Sequence, residues 1–166
     1  MAVTIKKVSS DTELKEVAVL ADEIWHECFV DIISLGQIDY MVEKFQSYKA
    51  MTKQIIDQDY SYYAVREDEE LCGYLAVKPE KDNRFFLSKL YLRKYKRGRG
   101  IASMMLKKVF EEAKNSGKNR VYLTVNKHND HAIEVYKKTG FVVADEAVTD
   151  IGNGYVMDDY IFEYIL

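Results

Sequence analysis

The chain has 166 residues, of which 48% are hydrophobic and 31% charged, and its formal net charge is −3. This balance predicts one globular domain over residues 1–166 and excludes collagen-like and low-complexity chains. No apolar run reaches the roughly 20 residues that cross a bilayer, and the N-terminus lacks a signal-peptide core. The two cysteines are far apart, with no histidine at metal-ligand spacing. We therefore expect a cytoplasmic protein with no membrane partner and no metal.

Hydrophobic periodicity in the first half predicts a strand, two helical stretches and three further strands. VTIKKV is a short strand, and apolar residues then recur at helical spacing from Leu14 to Cys28. Residues 37–47 and 49–58 form a second, broken helical stretch. Two strands on either side of the acidic turn 67–70 indicate an antiparallel hairpin, and RFFLSKLYLR is a further strand.

The second half alternates helices and strands. An apolar stripe from Ala102 to Ala113 predicts a helix, which ends at the sequence NSG. RVYLTV is a strand, NDHAIEVYKKTG is a short helix closing at Gly140, and two strands complete the chain. The order β-α-α-β-β-β-α-β-α-β-β predicts an α/β (α+β) fold with a mixed, mostly antiparallel central sheet and helices on both faces.

Positive and negative charges are segregated along the chain. Residues 88–108 hold eight Lys or Arg and no acid, whereas residues 141–166 hold six acids and no Lys or Arg. Such segregation is typical of two solvated faces, and it is also typical of one end that binds an anion and another that binds a cation.

The basic run contains the stretch Arg97-Gly98-Arg99-Gly100 at a strand-to-helix turn. Unpaired amides at a helix N-terminus, together with the helix dipole, favour a bound phosphate, and glycine permits close approach. The residues do not match a P-loop or a dinucleotide-binding GxGxxG motif. The spacing of the glycines and arginines alone is a weak signal.

Two motifs together carry a family resemblance. Arg97 to Ala102 follows the pattern Arg-x-x-Gly-x-Ala after the strand residues LYL, and a second motif lies downstream, Asn129-x-x-Ala132-x-x-x-Tyr136-x-x-x-Gly140-Phe141. Both resemble the conserved blocks of the GNAT superfamily of acyl-CoA N-acyltransferases, and so predict the GNAT fold. The resemblance covers residues 71–143, and the rest of the chain is similar in element order only.

The resemblance implies that acetyl-CoA is the cosubstrate and assigns residues to it. Leu90 and Leu92 would pair with the pantetheine arm through their backbone, Asn129 would touch that arm, and Tyr136 would protonate the departing thiolate. The residues whose amides would hold the pyrophosphate are Arg97, Gly98, Arg99, Gly100, Ile101 and Ala102. By residue type alone, Asn129 is equally well a helix N-cap, and Tyr136 is a candidate core aromatic.

The acceptor amine is the least determined part of the prediction. Many members of the superfamily carry a glutamate base on the strand before the loop, but this strand reads FFLSK, so the base stays unassigned. Adjacent Asp158 and Asp159 face opposite sides of a strand, and one of them would attract a polyamine or another amine. Trp25, His26 and Tyr40 are candidate pocket residues, with a core role for Trp25 and a surface role for His26 as the alternatives.

These observations predict an acyltransferase that moves acetyl from acetyl-CoA to a primary amine of a small molecule, by direct attack in a ternary complex. The alternatives are acetylation of a protein or peptide amine and a non-catalytic CoA-binding sensor. A net acidic chain with lysines at one turn argues against a nucleic-acid partner. A homodimer is compatible with the sequence.

Overall fold

The computed structural model describes residues 2–166 of the chain. It contains seven β-strands, which share one sheet. Their bounds are β1 Val3–Lys7, β2 Ser61–Glu67, β3 Glu70–Pro79, β4 Arg84–Leu92, β5 Arg120–Asn126, β6 Val142–Gly152 and β7 Tyr155–Ile165.

Five α-helices connect these strands within the described residues. Their bounds are α1 Asp11–Phe29, α2 Leu35–Met41, α3 Tyr48–Asp57, α4 Ile101–Asn115 and α5 Asp130–Thr139. A π-helical turn, Val42–Gln46, follows α2 directly, and Ser47 then caps α3 by accepting a hydrogen bond from the Ala50 amide. The predicted broken helical stretch is therefore two helices joined by a π-turn.

The strand order in the sheet is β1-β2-β3-β4-β5-β7-β6. All neighbouring strands are antiparallel except β4 and β5, which are parallel. The hairpin of β2 and β3 turns at Asp68 and Glu69, whose φ angles of 48° and 77° are the positive values that a two-residue type I′ hairpin loop requires. The predicted element order and the mixed, mostly antiparallel sheet are confirmed.

Helices cover both faces of the sheet because successive strand residues point to opposite sides. In β2, Tyr63 and Val65 pack into a core with α4 and α5, whereas Tyr62 and Ala64 pack with α1 and α3. A third buried cluster, which contains Trp25 of α1 and Ile151 of β6, closes the end of the molecule beside α2. None of the helices in residues 2–166 combines the length and the apolar character of a membrane span.

Candidate active site

The sheet opens between β4 and β5. The two strands pair only from Arg84 to Phe86 on β4 and from Arg120 to Tyr122 on β5. Beyond this point, residues of both strands line a cavity of about 870 Å³. The edge of β4 that faces β5 therefore has no strand partner along Leu87–Leu92, so its backbone groups are available to a ligand.

A one-residue bulge in β4 lies beside this opening. Leu87 pairs with Val77 and Lys89 with Ala76, so Ser88 is the extra residue. Bulges bend a strand and redirect its side chains. Leu90 and Leu92 keep their pairing to β3 on one edge, at Leu75 and Gly73, while both line the cavity.

The predicted phosphate loop leads from a 3₁₀ turn at Lys94–Lys96 into α4. Gly98 and Gly100 have φ angles of 77° and 81°, and a Cβ on either would meet no atom within 4 Å. The first amides of any helix lack an intrahelical acceptor. Gly100 is the N-cap of α4 and has no side chain that could accept a hydrogen bond from them. The opening in the sheet and this helix N-terminus border the same cavity.

One residue of the predicted loop differs from its expected role, and the side chain of another lies in the core. The Arg97 amide donates to the Lys94 carbonyl at 3.1 Å, so this amide is not free for a phosphate. The Arg97 guanidinium instead lines the cavity and reaches the Cys28 sulfur at 3.3 Å. Ile101 is 1% exposed, and its side chain belongs to the core.

Acids from elsewhere in the chain neutralise much of the basic run. Glu67, at the end of β2, accepts from Lys96 at 2.6 Å and from Arg99 at 3.0 Å, and the hydrogen bond from Lys96 lowers the pKa of this carboxyl. Arg93 pairs with Glu23 of α1. These ion pairs fix the loop against the β2–β3 hairpin and α1, and leave Arg97 as the arginine that faces the cavity.

Helix α5 brings Asn129 and Tyr136 to the cavity wall. Asn129 is the N-cap of α5, and its side chain accepts from the Ala132 amide at 3.3 Å. The N-cap alternative is therefore observed, and Asn129 reaches the cavity as well. Tyr136 is 7% exposed and packs edge-on against Phe141. Burial raises the pKa of its hydroxyl, so the hydroxyl stays protonated and can act as a proton donor.

The end of the cavity beneath α1 and α2 is aromatic and apolar. Trp25 stacks on Phe29 with ring centroids 4.2 Å apart, and Tyr91 of β4 meets Trp25 edge-on at 5.4 Å. Trp25 therefore belongs to both the core and the cavity wall. Asp159 of β7 also lines the cavity and is 6% exposed.

Three other candidate acceptor residues lie outside the cavity lining of the described residues 2–166. His26 is on the surface, hydrogen-bonded to the Asp22 carbonyl at 2.8 Å and to Asp39 at 2.6 Å. The Tyr40 hydroxyl donates to the Ile151 carbonyl at 2.6 Å. Asp158 points to the opposite face from Asp159 and pairs with Lys127 at 3.0 Å.

Lys89 is a buried residue on the cavity that neither sequence motif contains. Its ammonium donates to the Phe45 carbonyl, the Gln54 side chain and the Tyr62 hydroxyl, and no carboxylate is among these partners. Burial lowers the pKa of Lys89 to about 7. A lysine inside an apolar strand is the sequence feature that marks Lys89 as unusual. Its hydrogen-bond partners come from α3, β2 and the π-turn, so the sequence does not predict them.

Comparison with known proteins decides the family. A model described as the acetyltransferase (GNAT) family matches residues 20–141, which is more than half of the chain. The chain belongs to the GNAT family. This confirms the resemblance drawn from the two motifs, and both motifs lie within the matched range. The protein is a GNAT N-acetyltransferase, an enzyme that uses acetyl-CoA.

Relatives and solved structures agree with this assignment. An uncharacterised N-acetyltransferase of Mycobacterium tuberculosis is 29% identical over 150 residues, which cover 88% of this chain and 96% of that protein. An uncharacterised N-acetyltransferase of Lactobacillus delbrueckii is 25% identical over 156 residues, covering 85% and 90%. The structure of PaiA N-acetyltransferase from Thermoplasma acidophilum in complex with coenzyme A has a TM-score of 0.83 and 24% identity, with both chains fully covered.

Proposed function

We propose that this GNAT enzyme transfers acetyl from acetyl-CoA to a primary amine of a small molecule, by direct attack within a ternary complex. One observation carries the proposal. The gap between β4 and β5 opens onto the uncapped N-terminus of α4, and this cavity continues to the aromatic pocket beneath α1. A single space of about 870 Å³ therefore has room for both an extended CoA arm and a small acceptor.

The CoA arm would pair with the free edge of β4 at Leu90 and Leu92, as a missing strand would. Its pyrophosphate would meet the amides from Gly98 to Ala102 and the Arg97 side chain, at the positive end of the α4 dipole. The Asn129 side-chain amide group would contact the arm while its oxygen caps α5. This placement puts the thioester beside Tyr136.

Tyr136 would supply the proton for the leaving thiolate. A CoA thiol has an ordinary pKa of about 8.5, so its thiolate is protonated at neutral pH. A positioned donor of this kind contributes roughly 10²–10⁴ in rate. Direct attack is supported by the thiols of the chain, because burial raises the pKa of both Cys28 and Cys72 and so disfavours the thiolate of a covalent intermediate.

A primary amine on an apolar body is the acceptor that this pocket suits. Its wall is aromatic and aliphatic. Among the described residues 2–166, Asp159 is the one acidic residue that lines it. A polyamine is the second candidate. It is favoured by Asp145, Glu146 and Asp150, which are exposed on β6 and would attract a distal ammonium to the outer surface.

The test is a thiol-release screen with acetyl-CoA over four acceptor classes, namely apolar monoamines, diamines and polyamines, amino acids, and peptides. Thiol release with an apolar monoamine supports the proposal, and a kcat/KM at least tenfold higher for polyamines selects the second candidate. Release with peptides alone selects a protein acceptor. Calorimetry with acetyl-CoA tests the cofactor site separately, and absence of binding would overturn the site.

The cellular location and the oligomeric state of the enzyme are predicted from the sequence. We propose that the enzyme works in the cytoplasm, and that any homodimer leaves the mouth of the cavity open. Cell fractionation and sedimentation of the purified chain test these two points.

A further inference from the structure

Asp159 is a buried carboxylate at the acceptor end of the cavity. Its side chain is 6% exposed and lines the cavity, and its Oδ1 is sealed from solvent without a hydrogen-bond partner. A buried, unpaired carboxylate oxygen is costly, since neither water nor a protein donor replaces its hydration. Burial of this kind favours the uptake of a proton or pairing with a cation.

The surroundings of Asp159 contain few groups that could neutralise it. On its own strand, Asp158 repels its charge, and Lys127 after β5 attracts it while pairing with Asp158 and Glu146. Asn126 of β5 and Ala147 of β6 are its strand neighbours. Tyr91 of β4 and Tyr136 of α5 are the titratable groups across the cavity, and both are close enough to interact electrostatically with one another.

Two other titratable residues of the cavity are poorly placed to take a proton from an amine. His131 lies beside Arg97 at the phosphate-loop end, and burial and then Arg97 lower its pKa. The Lys89 nitrogen is directed into the wall, toward Phe45, Gln54 and Tyr62. Among the described residues that line the cavity, Asp159 is the only carboxylate.

We propose that Asp159 accepts the proton that the acceptor amine loses as it attacks the thioester. This inference rests on the proposed function, and it assigns the base that the strand FFLSK lacks. The amine nitrogen bonds to the carbonyl carbon, the carbonyl electrons move to oxygen, and Asp159 removes one N–H proton. The carbonyl then re-forms as the carbon–sulfur bond breaks, and its electron pair leaves on sulfur.

The proton balance closes through Tyr136. The thiolate receives the Tyr136 proton, and the proton on Asp159 returns to the Tyr136 oxygen through solvent. The products are the N-acetyl amine and the CoA thiol, and an acceptor that arrives as an ammonium releases one further proton to solvent. Burial raises the pKa of Asp159 to about 6, with Asp158 adding to the shift, so the carboxylate is ionised at pH 7 yet more basic than an ordinary aspartate.

The experiment compares Asp159→Asn with Glu163→Gln, a matched loss of one carboxylate on the same strand at a residue outside the cavity lining, where Glu163 pairs with Arg120. Each variant is assayed with two acceptors of the same shape. One is an alkylamine that is charged at pH 7, and the other is its β,β,β-trifluorinated analogue, whose nitrogen is neutral at pH 7 because the three fluorines withdraw electron density. Acetyl-CoA affinity is measured for both variants by calorimetry.

We expect Asp159→Asn to lower kcat by about 10²-fold or more for both acceptors, to leave acetyl-CoA affinity unchanged, and to abolish the fall of kcat below pH 6. Glu163→Gln should retain the wild-type profile. If Asp159→Asn raises KM for the charged amine alone and spares the neutral one, Asp159 only binds an ammonium and the inference is wrong. Absence of thiol release by the wild-type enzyme with any amine would instead overturn the proposed function.

Discussion

Lys89 lies in the sheet at a place where most proteins have an apolar side chain. Its three hydrogen-bond acceptors satisfy the ammonium geometrically, yet burial still lowers its pKa to about 7. Each acceptor has another bond. The Gln54 oxygen also accepts from Tyr62, and the Phe45 carbonyl also accepts from Gln54 at 3.1 Å. Removal of the ammonium therefore leaves the Phe45 and Gln54 oxygens with a donor each, and the Tyr62 hydroxyl keeps its own bond to Gln54.

We expect Lys89→Met to stabilise the protein at pH 7, by about 1–4 kcal/mol as for other buried charges replaced by apolar side chains. Between pH 7 and 10.5 the unfolded chain binds more protons at Lys89 than the folded one, so wild-type stability rises with pH in this window and the variant should lose that rise. Urea unfolding at pH 7 and pH 9 measures the stabilisation by Lys89→Met and the change of stability with pH. Lys53→Met, on the exposed side of α3, is the control, and equal effects of the two would contradict the prediction.

Tyr136 allows a test that separates catalysis from packing. Tyr136→Phe keeps the ring that packs on Phe141 and deletes only the hydroxyl. We expect kcat to fall by about 10²-fold or more, with acetyl-CoA affinity and melting temperature little changed. Tyr164→Phe, which keeps its stacking on Phe110, provides the matched control. Turnover within about twofold of wild type would remove Tyr136 from the proton path.

The loop before α4 and the turn after it offer a matched pair of glycines. Gly100 and Gly117 have φ angles of +81° and +74°, and a Cβ on either meets no atom within 4 Å. Gly100→Ala and Gly117→Ala should therefore lose similar stability, about 1–2 kcal/mol each. Only Gly100 lies on the cavity, so only Gly100→Ala should weaken acetyl-CoA binding, by roughly 10- to 100-fold for a lost charge-assisted contact. Calorimetry that shows equal affinity for both variants would exclude the loop from the CoA site.

The elements of the fold follow from local sequence signals. Apolar periodicity located the strands and the helices, and the glycines at 98, 100 and 140 marked the loops that the structure contains. The π-turn after α2 has no such signal. Its last residue, Gln46, accepts from the Tyr74 hydroxyl, and Gln54 of the next helix accepts from Lys89. These contacts join residues far apart in sequence, so periodicity does not report them.

The sequence predicted the site residues that belong to motifs, and it did not predict the contacts that depend on tertiary packing. The loop glycines, Asn129 and Tyr136 lie on the cavity, and so does one of the two adjacent aspartates, as strand alternation required. The pairing of Lys96 and Arg99 with Glu67 was not predictable, since the acid comes from a hairpin some thirty residues earlier in the chain. For the same reason, sequence alone overestimated the free positive charge of the loop.

At the scale of the whole molecule, the sheet has two parts that meet at a short contact. Strands β1 to β4 form one part and β5 to β7 the other, joined by pairing at three residues of β4. The helices α4 and α5 add to this contact through the shared core. We propose that residues 1–166 nevertheless form one domain, because a single buried cluster extends across both parts.

One domain should unfold in one cooperative transition. The chain has a single tryptophan, Trp25, which is 2% exposed beneath the cavity, whereas far-UV circular dichroism reports the backbone of both parts. We expect the urea curves from Trp25 fluorescence and circular dichroism to coincide. Two separated midpoints would show that the parts unfold independently and would contradict the single domain.

Acetyl-CoA should bridge the two parts where their strands do not pair. If the CoA arm takes the place of a missing strand, its binding protects the backbone amides of residues 87–92 from hydrogen exchange. Local opening of the nearby end of β5, at residues 123–126, should also become rarer. Hydrogen exchange with and without acetyl-CoA measures this, with β6 as the internal control because it lies beyond β7 from the cavity gap. We expect exchange to slow by at least tenfold in residues 87–92 and to change little in the outer half of β6. Uniform protection of all seven strands would mean that the ligand stabilises the fold without binding in the gap, and would place the CoA arm elsewhere.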